Sequence, residues 1–170
     1  ICACLVGSEM CIRDRYVGSL EVADVIKEDS KEAVSDLRAA GVQKIVMLTG
    51  DARKVGEGVA RELGLDDVKT ELLPQDKLEE VEKLKTELDG QDKLAFVGDG
   101  LNDTPVLAQS DVGIAMGALG SDAAVEAADV VLMSDEPSAI VRVMKIARRT
   151  KRIVWENISL SLIHISEPTR

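Results

Sequence analysis

A chain of 170 residues, 45% hydrophobic and 31% charged, is long enough for one domain with a real core and too apolar to be disordered. Its net charge of −10 argues against nucleic acid as a partner, because a phosphate backbone would be repelled. No apolar run reaches the roughly 18 residues that a helical membrane span needs.

Taken from the N-terminus, residues 1–15 do not read as part of a fold. Back-translated, residues 5–15 give a DNA whose complementary strand, in one frame, encodes residues 160–170. That DNA resembles a widely used transposon-derived sequencing adapter. Both end segments are therefore set aside as adapter-derived, as fusion scars are. Native flexible tails are the alternative, but chance does not supply a matched antisense pair. The native polypeptide is then expected to continue on both sides. Cys2, Cys4, Cys11 and the lone His164 all fall in these segments. Residues 16–159 thus offer no disulfide, no Cys or His zinc site and no Ser–His or Cys–His nucleophile system.

Residues 16–26 carry Val17, Leu20, Val22, Val25 and Ile26 and predict a strand with an irregular exit. Asp29 or Ser30 caps a helix to Ala40, with Ala33, Val34, Leu37 and Ala40 as its apolar stripe and Gly41 as its stop. The run Lys44-Ile45-Val46-Met47-Leu48 suits a strand covered on both faces, and it ends in Thr49-Gly50-Asp51. A second helix is expected over 53–63, with Gly64 as its stop. Gly56 and Gly58 each cost it about 1 kcal/mol relative to Ala. Residues 68–72 form a weak strand, and Pro74 opens a helix to about Leu88, with Leu78, Val81, Leu84 and Leu88 on one face. Glu79 and Lys83 on that helix are an i,i+4 pair. Residues 93–97 are a further strand, followed by the turn Gly98-Asp99-Gly100-Leu101-Asn102-Asp103 and a short helix over 104–109. Strands over 111–116 and 129–133 flank a helix over 122–127 that Gly120-Ser121 caps. A long helix runs from Ser138 through Trp155, with Ile140, Val143, Met144, Ala147, Ile153 and Val154 on its buried side.

Strands and helices alternate throughout, which predicts an α/β fold, a Rossmann-like parallel sheet with helices on both faces. Segments 44–51 and 93–99 echo each other, each with a lysine, apolar residues and then Gly-Asp. As neighbouring strands they would present Asp51 and Asp99 at the carboxyl edge, where open α/β sheets bind ligands. Asp99 and Asp103, with Asn102 between them, suit a hard cation such as Mg²⁺. A polar turn capping the next helix is the alternative, since these are ordinary turn residues. Together Thr49, Gly50, Asp51, Lys77, Asp99, Asn102 and Asp103 supply a hydroxyl, backbone N–H groups, an ammonium, a carboxamide and carboxylates. That is a kit for holding a phosphoryl group beside Mg²⁺. Taken singly, Lys77 is equally a solvated helix residue and Asp51 an N-cap of the following helix. No activated nucleophile is evident.

Thr49-Gly50-Asp51, Lys77 and the run Gly98-Asp99-Gly100-Leu101-Asn102-Asp103-Thr104-Pro105 resemble the phosphorylation domain of P-type ATPases, within the haloacid-dehalogenase superfamily. Asp111-Val112-Gly113-Ile114-Ala115-Met116-Gly117 and Ala128-Asp129-Val130-Val131-Leu132 extend the likeness over essentially all of 16–159. Ala118-Leu119-Gly120-Ser121-Asp122-Ala123-Ala124 looks more like the zinc/cadmium members than the copper members. The resemblance implies that Thr49 and the Gly50 amide contact an aspartyl-phosphate, that Lys77 neutralises it and that Asn102 binds its oxygens. It implies Asp99 as a Mg²⁺ ligand, Asp103 as support of the metal shell, and Asp51 as the residue that positions water and links to the actuator domain. The family's Asp-Lys-Thr-Gly-Thr motif is absent, so the fold is expected to be incomplete, lacking the nucleophile's strand. The nucleotide-binding, actuator and membrane domains, and with them ATP and the transported divalent cation, belong to the remainder of a parent chain.

The expected division is therefore 16–147 as a partial phosphorylation domain and 148–159 as a basic juxtamembrane helix. In that helix Arg148, Arg149, Lys151 and Arg152 precede Trp155, as at the cytoplasmic face of a plasma (inner) membrane. Cations favoured near a helix C-terminus are the alternative. The implied function is export of Zn²⁺ or Cd²⁺. Two rivals are a soluble Mg²⁺-dependent phosphatase of the same superfamily and a non-catalytic regulatory domain of the same fold.

Overall fold

The described strands form a three-stranded parallel sheet, a parallel pair and an antiparallel hairpin, with helices between the parallel strands. The computed structural model describes the backbone of residues 6–12, 15–22, 26–98, 103–117 and 122–166, and the side chains of those between 26 and 161. In chain order the elements are β1 (Val6–Ile12), β2 (Arg15–Val22), α1 (Ser30–Ala39), β3 (Val46–Leu48), α2 (Arg53–Leu63), β4 (Asp67–Lys69) and α3 (Pro74–Thr86). They continue with β5 (Ala95–Gly98), α4 (Thr104–Gln109), β6 (Val112–Met116), α5 (Asp122–Ala127), β7 (Val130–Leu132) and α6 (Ser138–Ser166).

The strands β5, β6 and β7 form a parallel sheet in that order, with Gly98 opposite Ala115 and Ile114 opposite Val130. Successive side chains of a strand point to opposite faces, and β6 shows both faces covered. Ala115 packs with Leu107 of α4 and Ala124 of α5, while Ile114 packs with Leu132 and with Ala139 of α6. This is the expected parallel sheet with helices on both faces. The approach of α4 to β6 is so close that a Cβ on Gly113 would lie 2.6 Å from the Leu107 carbonyl oxygen.

The strands β3 and β4 form a separate parallel pair, and β1 and β2 an antiparallel hairpin. β3 and β5 are therefore not paired neighbours, which corrects the expectation that their ends sit side by side. Among the described residues no strand pairs with the second edge of β3 or of β5. In β5, Val97 is 37% exposed, where a parallel strand inside a complete sheet would be covered. The two unpaired edges are what an α/β sheet shows when a strand between them is absent. The hairpin partner β1 lies in a stretch that the sequence reading set aside.

One device recurs at the amino ends of the parallel strands. The Asp66 carboxylate accepts the N–H of Ile45 at 2.7 Å, Asp111 that of Leu94 at 3.0 Å, and Asp129 that of Gly113 at 2.8 Å. Each Asp stands at or just before the next strand and ties it to the start of its neighbour. The backbone N–H holds Asp66 and Asp111 below the usual carboxylate range, with help from Arg38 and Lys85 respectively.

Three local expectations change. Lys83 pairs with Glu80 at 2.6 Å rather than with Glu79. Asp29 stands at the N-cap of α1 without a side-chain capping bond. Helix α6 does not stay on the core. Val141 is 3% exposed, but Ile153 and Val154, expected inside, are 42% and 48% exposed. At about 1.5 Å per residue its 29 residues outrun the domain. Of its basic residues, Arg148 is already engaged, donating to the carbonyl oxygen of Ala40 at the end of α1.

Candidate phosphate and metal site

The site is built from the carboxyl end of β3, the first turn of α3 and the entry to α4. Thr49 is 5% exposed, and its hydroxyl is committed on both sides. It donates to Asp51 Oδ2 at 2.7 Å and accepts the Asp51 N–H at 3.1 Å. The N-cap position of α2 is Ala52, so Asp51 is not the cap that one reading of the sequence allowed. Its carboxylate faces back over the Thr49-Gly50-Asp51 turn instead.

That turn is clasped by the segment leaving β4. The Thr49 N–H donates to the Lys69 carbonyl at 2.9 Å, the Leu72 N–H to the Thr49 carbonyl at 3.1 Å, and the Glu71 N–H to the Asp51 carbonyl at 2.9 Å. Glu71 takes a φ of +59° to do so, an uncommon conformation for a residue with a side chain. Sequence reasoning, which extended the strand to residue 72, missed it. Gly50 sits so close to the clasp that a Cβ there would lie 3.2 Å from the Leu72 carbonyl oxygen.

Two residues beyond Leu72, Pro74 starts α3. Lys77, in its first turn, donates to Asp103 Oδ1 at 2.9 Å. The two side chains are 19% and 12% exposed, so the pair is largely withdrawn from water. Asp103 in turn lies against the end of β5, where a Cβ on Gly98 would be 3.0 Å from its Oδ2. The structure thus joins Thr49, Gly50 and Asp51 through the clasp and α3 to Lys77 and Asp103. Asp99 and Asn102 lie outside the described residues, as do residues 118–121.

The described donors Thr49, Asp51 and Asp103 are all oxygen atoms, the ligand type of a hard cation. Among the described residues no three Asp, Glu, His or Cys side chains gather into a metal cage. The donor set suits Mg²⁺, which binds through one or two carboxylates and keeps its waters, better than it suits zinc or calcium. The Lys77 ammonium is paired with the Asp103 carboxylate, so the two are charge-balanced as they stand.

The family model for haloacid dehalogenase-like hydrolases matches residues 4–111. The chain belongs to that family. Among its relatives, this haloacid dehalogenase-like chain is 55% identical over 153 residues to the cadmium, zinc and cobalt-transporting ATPase of Bacillus subtilis. It is 53% identical over 153 residues to the zinc-transporting ATPase of Synechocystis. Each match covers 90% of this chain, but 22% and 21% of the relative. A crystal structure of a zinc-transporting PIB-type ATPase in the E2.Pi state superposes with a TM-score of 0.77 at 36% identity, over 93% of this chain and 25% of that one. The chain therefore spans about a fifth to a quarter of the length of these proteins. Among its described residues no helix is long and apolar enough to cross a membrane.

Proposed function

We propose that residues 16–147 are the C-terminal part of the phosphorylation domain of an ATP-driven exporter of a divalent metal cation, Zn²⁺ or Cd²⁺. The observation that carries this reading is the 55% identity to a cadmium, zinc and cobalt-transporting ATPase over 90% of the chain. Residues 148–159 are then the basic helix on the membrane side, with Arg149, Lys151 and Arg152 exposed beside Trp155. Residues 1–15 and 160–170 are adapter translation. Nucleotide-binding, actuator and membrane domains of the same parent chain complete the pump at the cytoplasmic face of the plasma (inner) membrane, where ATP and the transported ion bind.

In this reading the Gly50 N–H holds an oxygen of an aspartyl-phosphate, with Asn102 as a further donor, and the Thr49 hydroxyl turns its one proton from Asp51 to the phosphate when it binds. Lys77 neutralises phosphoryl charge and steadies Asp103. Asp99 would hold Mg²⁺ with Asp103 behind it, and a cation there would supply charge neutralisation for the phosphoryl group. Asp51, hydrogen-bonded to Thr49, positions the hydrolytic water. In this reading the phosphorylated Asp is supplied by the parent chain.

The reading is tested in the full-length parent by trapping acid-stable phosphoenzyme from radiolabelled ATP. Asp99→Ala is expected to abolish labelling. Wild-type labelling at ordinary Mg²⁺ would remove Asp99 from the metal site.

A further inference from the structure

In the sequence, Gly56 and Gly58 read alike as costs to α2. The structure separates them. A Cβ on Gly58 would meet nothing within 4 Å, whereas one on Gly56 would lie 2.4 Å from Thr70 Cγ2, 3.3 Å from Thr49 Cγ2 and 3.5 Å from Val68 Cγ2. The bare face of α2 at Gly56 is where the methyls of Thr49 and Thr70 sit.

We propose that Gly56 is a positioning residue for Thr49 and Asp51, acting with Thr70 as a spacer behind the phosphate site. This rests on the assignment of Thr49 to phosphate binding. Two routes lead from the contact to the site. The first is direct. Both substituents on Thr49 Cβ are committed, the methyl to the Gly56 face and the hydroxyl to Asp51. A β-branched side chain has few χ1 choices, so a displaced methyl carries the hydroxyl away from Asp51. The second runs through the clasp. Thr70 stands between Lys69, whose carbonyl holds the Thr49 N–H, and Glu71, whose N–H holds the Asp51 carbonyl. Glu71 already occupies an uncommon φ, so this segment has little freedom to absorb a push.

Gly56→Ala requires Thr70 Cγ2 and α2 to part by roughly 1 Å, from 2.4 Å to the 3.4 Å at which contacts become ordinary. The Thr49 methyl, 3.3 Å from the added Cβ, must itself give by only about 0.1 Å, so the larger push enters through Thr70 and the clasp, and the part of it that reaches the site costs up to about 100-fold at a full 1 Å. Removing the opposing methyl with Thr70→Ala makes room for the methyl that Gly56→Ala adds, so the two changes are expected to compensate.

The test uses the full-length parent and inorganic phosphate as an inhibitor of ATP hydrolysis, comparing wild type, G56A, G56A/T70A and T49A. The expected result is that G56A weakens phosphate inhibition by about 10- to 100-fold and lowers kcat in step, with KM for ATP unchanged, since the nucleotide pocket lies elsewhere in the parent. The double variant returns to within about threefold of wild type, which general loosening of α2 would not produce. If G56A does not accumulate, the double variant decides. It must fold and bind phosphate like wild type, and its failure overturns the proposal. Wild-type phosphate inhibition in G56A, with T49A impaired, also overturns it and leaves the phosphate site standing. Wild-type phosphate inhibition in T49A removes the phosphate assignment itself, and the positioning role with it.

Discussion

Gly113→Ala tests the packing that holds the site's scaffold together. Gly113 is buried in β6, and the added Cβ would lie 2.6 Å from the Leu107 carbonyl oxygen, 3.2 Å from its carbonyl carbon and 3.4 Å from its Cα. All three are backbone atoms of α4, so no side-chain rotation relieves the clash. Reaching ordinary contact means separating α4 from β6 by roughly 0.8 Å, at a place where Leu107 and Ala115 are 1% and 0% exposed. Overpacking of this kind costs about 3 kcal/mol at the upper end of its usual range, which lowers the melting temperature of a chain this size by about 6–12 °C. The control is Gly58→Ala, in a helix and facing open space, expected to gain about 0.5–1 kcal/mol from reduced backbone entropy loss. Both are measured by thermal and urea unfolding followed by circular dichroism, side by side with the parent sequence on the full 170-residue chain. If G113A unfolds within about 0.5 kcal/mol of its parent, α4 does not approach β6 as described, and the placement of Asp103 at the head of α4 falls with it.

Other expectations follow from the same contacts. Thr49→Val keeps the shape but loses the 2.7 Å bond to Asp51, and is expected to lower kcat of the full-length parent by about 100-fold while costing about 1 kcal/mol of stability. Wild-type turnover would exclude the hydroxyl from the reaction. Lys77→Met strands the Asp103 carboxylate, whose side chain is 12% exposed, and is expected to cost about 2 kcal/mol in urea unfolding. Lys77→Met/Asp103→Asn recovers part of that loss, and strictly additive losses would argue against the pair. Asp66 and Asp111 have lowered folded-state values because they accept strand N–H groups. Their stabilisation is therefore complete above the unfolded carboxylate range, near pH 4, and is lost as pH falls from there through the lowered values. Asp111→Asn retains an acceptor but no longer titrates, so its acid-unfolding profile should be shallower than the parent's, and an unchanged profile would contradict the assignment.

Much of the fold was legible because β3, β5 and β6 are apolar runs ending in Gly-Asp or Gly turns, a pattern that suits a covered parallel strand, whereas β4 and β7 lack that ending. The grouping of Thr49, Gly50 and Asp51, and the inclusion of Lys77 and Asp103, were legible because the residue types suit one chemistry. Their connection was not. The clasp through residues 69–72 depends on Glu71 adopting a positive φ, and nothing in Thr70-Glu71-Leu72 announces that. Gly56 and Gly58 are indistinguishable in a helical pattern, and only the neighbour across the interface tells a spacer from a weakness. The aspartates that tie the strand starts left only a partial signal. Asp111-Val112 and Asp129-Val130 each open a strand, but at β4 the tying Asp66 stands one residue before Asp67-Val68, and Asp-Val also occurs at 24–25, so the dipeptide alone does not mark them. The neighbouring of β3 and β5 was misjudged because their sequence echo speaks of equivalent roles, and pairing in a sheet depends on what lies between. For α6, apolar residues at helical spacing suggested burial along its whole length, but the core ends near Met144 while helix-compatible residues continue.

The most direct test of the central claim is the sequence of the source gene across residues 16 and 159. A metal pump of this family requires an Asp-Lys-Thr-Gly-Thr motif upstream, separated from Tyr16 by a nucleotide-binding domain, and apolar spans of about 20 residues downstream of Ser159. A short reading frame without such spans would contradict the pump and leave a soluble phosphatase of the same family. A native frame running unchanged through residues 5–15 would contradict the adapter origin and return Cys2 and Cys4 as candidate metal ligands.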